Sequence, residues 1–76
     1  MDKAQWALNL LREPMFQEVM EDLRGTELNK IVSSNYGEIE IREEAYARIR
    51  VLESIEAHLE SMAAQKMMDE KRIKIL

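Results

Sequence analysis

Apolar residues recur along this chain at helical intervals, and the pattern breaks in only two places. Phe16, Val19, Met20 and Leu23 stand at the i, i+3, i+4, i+7 spacing of one helix face, with Glu18, Glu21, Asp22 and Arg24 on the wet side. Leu28, Ile31 and Val32 resume a stripe beyond Gly25, and a lone glycine costs a helix only about 1 kcal/mol relative to alanine. One helix is therefore predicted from Pro14 to about Ser33, with a bend allowed at Gly25. The longest run is Ile41, Ala45, Ile49, Leu52, Ile55, Leu59, Met62 and Ala63, which advances in steps of three and four.

The breaks are mechanical. Pro14 has no N–H and a φ suited to a first helical turn, and it pushes Glu13 out of helical geometry. A short helix from about Lys3 to Leu11 must end there. Ser33 to Gly37, SSNYG, is the loop, because serine and asparagine compete for backbone hydrogen bonds and glycine accepts a left-handed conformation. The third helix is predicted from Glu38, its acidic opening suiting the positive end of the helix dipole. Helices two and three then form an antiparallel hairpin, and helix one folds back over one end through Trp6, Leu10 and Leu11.

The expected fold class is all-α: an antiparallel helical hairpin, a short additional N-terminal helix and an extended C-terminal tail. Residues 1–70 form one helical domain and residues 71–76 the tail. Because the third helix outruns its partner, Met62 to Met68 should overhang. A homo-oligomer would cover that overhang with no new sequence.

Composition sharpens this picture. At 46% hydrophobic and 34% charged, the chain is too apolar to stay disordered, and its 76 residues make one small domain. There is no cysteine, so disulfides and thiolate metal sites are excluded. No apolar run approaches a membrane span and no signal-peptide core is visible, so a cytosolic setting is expected. The net charge of −4 is uneven: residues 1–65 hold seven cations against thirteen anions, residues 66–76 four against two. An acidic body argues against nucleic-acid binding.

Candidate chemistry is sparse. His58 is the only histidine and has no positioned acid or base partner in sequence, which assigns it to the edge of the core stripe. A helical metal site would need carboxylate and histidine at i, i+3 on two helices, and Glu56, His58 and Glu60 lack that spacing. Arg48 with Glu44, and Arg50 with Glu53, read as intrahelical pairs. No catalytic residue, cofactor or metal ligand is expected.

The remaining signal lies at the C-terminal end. Methionine adapts to irregular partners, and Met67 and Met68 fall beyond the hairpin. Lys71, Arg72 and Lys74 suit the negative end of a helix dipole. Arg72, Ile73, Lys74 and Ile75 also alternate at period two, the pattern of a short strand. On the second reading Met67, Met68, Lys71, Arg72, Ile73, Lys74, Ile75 and Leu76 form an attachment peptide for a protein partner.

Two segments, LLREPMFQEVMEDLR (Leu10 to Arg24) and REEAYARIRVLESIEAHLESM (Arg42 to Met62), resemble a family of short proteins of tailed phages and prophages. The shared pattern is an LL-x-x-P-x-FQ opening, a charged helix, a loop, and an R-E-x-x-Y/W helix ending in HLES. It covers roughly residues 7 to 63, consists of packing and capping positions, and carries no catalytic residue. By association with virion-assembly genes, the resemblance implies a non-enzymatic structural or assembly protein. Such a protein would act in the host cytoplasm during assembly or in the virion, through self-association and docking on a phage structural protein. The alternative expectation is an acidic regulatory binder that sequesters a host protein.

Overall fold

The computed structural model describes residues 2–75, with side chains described for residues 2–71. It contains α1 (Lys3–Arg12), α2 (Pro14–Ser33) and α3 (Ile39–Ile75), and no strand among the described residues. The predicted elements and their order are those observed. At about 1.5 Å per residue, the 37 residues of α3 account for the 56 Å long axis of the molecule.

Each helix end shows why the chain turns there. Asp2 caps α1, its carboxylate accepting from the Gln5 N–H at 2.8 Å. Glu13 is extended, with φ −74° and ψ 118°, and its side chain accepts from the Phe16 N–H at 2.9 Å while Pro14 opens α2. The Gln17 side-chain amide donates to the Leu11 carbonyl at 2.8 Å, satisfying an orphan acceptor at the end of α1. One corner thus serves two helices. Gly25 lies inside α2 without ending it.

The hairpin loop is fastened by one arginine. Arg42 donates to the Ser34 hydroxyl at 3.0 Å, the Asn35 carbonyl at 2.7 Å and the Tyr36 carbonyl at 2.9 Å. The Glu38 carboxylate accepts from the Asn35 N–H at 2.7 Å. The expected left-handed glycine is not used: no described residue, Gly37 included, has positive φ. Side-chain bonds from Arg42 and Glu38 shape the turn in its place.

The core runs along α3 and is shared by its two partners. Ala7 and Leu8 of α1 meet Leu59 and Ala63 of α3, with Leu10, Leu11, Phe16 and Met62 packed around them. Both alanines are fully buried, so the two helices approach closely. Met20 of α2 and Ala45, Ile49 and Leu52 of α3 complete the buried set. Leu10 and Leu11 pack against this end as expected, and Trp6 stands beside Leu59 and Met62 while half exposed, but the residues fully buried there are Ala7 and Leu8. The face of α2 is also rotated from the predicted one, since Met20, Glu27 and Ile31 turn inward while Val19 and Leu23 are half exposed.

Helix α1 covers part of the expected overhang, burying Ala63, and leaves Met67 and Met68 exposed. Arg12 clasps Glu70 through two bonds of 3.0 and 2.5 Å. The backbone stays helical through Ile75, so the extended tail predicted from residue 71 is corrected to a continuation of α3. The run from Met62 to Lys71 is rich in alanine, methionine, glutamine, glutamate and lysine, all good helix formers, and that propensity outweighs a four-residue alternation.

Leu8 is the largest fully buried side chain. Leu8→Ala is expected to cost about 2–5 kcal/mol, measured by urea unfolding. Ala63→Leu should cost about 1–3 kcal/mol by forcing α1 away from α3.

Candidate functional site

Several apolar residues that the fold leaves half exposed lie side by side, next to the core. Leu23 of α2 and Val51 and Leu52 of α3 line one open groove, with Glu27 and Arg48 at its polar end. Trp6 of α1 and Val51, Ile55, His58 and Met62 of α3 line a second. Val51 belongs to both, so they form one trough along the outer flank of α3. Half or nearly half of the surface of Trp6, Leu23, Val51 and Ile55 is exposed in it. An apolar band of this kind marks an interaction surface.

The hairpin fixes the trough's geometry through charged contacts. Arg24 of α2 is paired with Glu56 of α3, both partly buried. Glu27 is the one buried charged residue among those described, held between Lys30 at 3.1 Å and Arg48 at 3.6 Å. The Arg48 contact is an ion pair too long to be a hydrogen bond, and the Glu27 Oε2 atom accepts none. Arg48 also reaches Glu44 at 4.0 Å, and Arg50 reaches Glu53 at 3.4 Å, as their spacing predicted.

Nothing in the trough resembles a reacting centre. His58 is exposed in an apolar wall, and Glu56 is occupied by Arg24. Among the described residues no three histidines or carboxylates converge on a point that could hold a metal ion, and no helix is long and apolar enough to cross a membrane.

The sequence-predicted partner residues form a separate group. Met67, Met68 and Lys71 are exposed on the last turns of α3, beyond the trough. The side chains of Arg72, Ile73, Lys74 and Ile75, and all of Leu76, lie outside the described residues. Sequence reasoning missed the trough itself because it assigned Val19, Leu23 and Ile55 to the core. The signal that could have exposed it was the excess of apolar positions: the stripes of α2 and α3 are wider than one contact seam between two helices.

At the α1 end, the Gln5 N–H, seconded by Lys66 at 3.5 Å, holds the Asp2 carboxyl below its ordinary value of 3.8. Glu70 in turn raises Arg12 above its usual range. No family model, curated protein or solved structure matches the chain.

Two predictions follow from these charges. Because folding lowers the Asp2 pKa, its contribution is complete above 3.8 and lost as pH falls through the lower folded value. Acidification through that window should weaken α1 docking more in the parent than in Asp2→Asn, read from Trp6 fluorescence. Replacing Glu27 by Met should leave Tm within about 4 °C of the parent, since Lys30 and Arg48 are largely exposed and keep their hydration when the carboxylate is removed. A larger fall would show that the Lys30–Glu27–Arg48 cluster holds the hairpin together.

Proposed function

We propose that this protein is a non-enzymatic structural or assembly component of a tailed phage, acting through helix-mediated self-association and docking on a phage structural protein. The observation that carries this reading is the exposed apolar trough beside α3, a surface suited to binding another chain and furnished with no reacting groups. The phage setting rests on the resemblance of Leu10 to Arg24 and Arg42 to Met62 to small phage proteins, and on that reading the protein acts in the host cytoplasm during assembly or in the virion. Met67, Met68 and the basic turn from Lys71 onward are assigned to partner docking, since the two methionines and Lys71 are exposed.

A second reading has its own support. Glu40, Glu43 and Glu44 are exposed on the opening turns of α3, in a chain of net charge −4. An acidic surface of this kind steers towards a basic target, so a regulatory binder that sequesters a host protein is the alternative.

Affinity capture from phage-producing cells distinguishes the two, comparing the full chain with one truncated after Glu70. Recovery of a virion protein by the full chain and its loss on truncation is the expected result. Equal recovery of a host protein by both chains would transfer the function to the acidic body. Deletion of the gene should lower particle yield, and unchanged yield and morphology would contradict an assembly role.

A further inference from the structure

Helix α2 carries a glycine that its surroundings do not require. Gly25 stands in mid-helix without positive φ, and a methyl group added there would meet nothing within 4 Å. Alanine would favour the helix by about 1 kcal/mol at no steric cost. The next residue loosens the same turn: the Thr26 hydroxyl donates to the Asp22 carbonyl at 2.9 Å, a back-bond that bends helices.

The apolar positions on the two sides of Gly25 are out of phase. Met15, Phe16, Val19, Met20 and Leu23 precede it, and Leu28, Ile31 and Val32 follow. Counting about 100° per residue, the first arc centres about 70° to one side of the face that meets α3, and the second about 70° to the other. A straight helix can present neither arc squarely. It turns inward the line between them, Met20, Glu27 and Ile31. Met15, Val19 and Leu23 are left exposed on one side, and Leu28 and Val32 on the other. Glu27 is taken into the seam, where its Oε2 atom accepts no hydrogen bond.

We propose that α2 is a two-state element hinged at Gly25. The first state is the straight helix, held by the contacts of Lys30 and Arg48 to Glu27 and by the bonds with which Arg42 fastens the loop. In the second the helix is broken at Gly25, and Thr26 to Ser33 turn as a unit by about 70°. Leu28 and Val32 are then buried on α3, and Glu27 returns to water. The half from Pro14 to Arg24 stays in place, because Phe16 packs on the α1 cluster and Arg24 is paired with Glu56. The break gives up hydrogen bonds at Gly25 and in the loop, and gains aliphatic burial and the hydration of a carboxylate. These terms oppose one another, as a two-state element requires. Glu27 and Arg48 form the polar end of the trough, so the trough keeps its present shape in the straight state alone.

Amide hydrogen exchange of the full chain, followed residue by residue by NMR, tests this. The informative amides are Thr26 to Asn29, whose i−4 acceptors lie at or before Gly25. In the parent they should be less protected than those of Val19 to Leu23. Gly25→Ala should raise their protection about fivefold, the factor equivalent to about 1 kcal/mol. Leu28→Gln keeps helix propensity but removes aliphatic surface that the second state buries, so it should also raise their protection. Val32→Thr, at the most exposed aliphatic position of α2, should do the same where loss of folding is least to be expected. Fraying without a rotated state predicts the opposite, since Leu28 then has only its contacts in the straight helix to lose. Equal protection on both sides of Gly25 overturns the break. Unchanged or lowered protection in Leu28→Gln and Val32→Thr overturns the rotated state.

Discussion

The structure depends on one constraint: α3 is nearly twice as long as α2 and must find partners for its apolar stripe along most of its length. A single hairpin cannot supply them. Helix α2 covers the half that contains Ala45, Ile49 and Leu52, and α1 covers the half that contains Leu59 and Ala63. The sharp Glu13–Pro14 corner makes this division possible, because it ends α1 and starts α2 within one residue and sends each towards a different part of the same helix. The full burial of Ala7 and Ala63 in one cluster where α1 meets α3 is the consequence. Larger residues at either position would hold α1 off the stripe.

Covering a helix end to end with two short partners leaves its flank open. Each partner contacts a narrow seam, while the apolar positions of α2 and α3 extend over a wider arc. Val51, Ile55 and Leu23 are what remains, joined by Trp6 from α1. A fully buried Leu or Val side chain contributes roughly 1.5–3 kcal/mol, so leaving such residues in water forgoes stability that a small domain has little means to replace. A chain docked on this flank returns that burial to the fold, which links the architecture to the proposed function.

Much of this architecture was legible in the sequence. Proline, loop chemistry and helical periodicity located three helices, because those signals act on neighbouring residues. The candidate surface was less legible, since periodicity shows that a face is apolar but not which of two adjacent arcs meets the other helix. Glu27 illustrates the difficulty: a carboxylate inside the α2 seam rotates Val19 and Leu23 outward, and only the pairing with Lys30 and Arg48 makes that arrangement tolerable. The C-terminal segment failed for the opposite reason. Alternation over Arg72 to Ile75 is a local pattern, and it was outweighed by the helix already propagating through the preceding turns.

The central claim is that α3 needs both of its partners at once. The chain's single tryptophan lies on α1, beside Leu59 and Met62 of α3, and reports α1 docking. Urea unfolding followed in parallel by Trp6 emission and by helicity from circular dichroism tests the claim most directly, since a two-state domain gives coincident transitions by both probes. The account predicts one shared midpoint. Loss of the docked Trp6 emission well before the helicity, with the hairpin left intact, would contradict it.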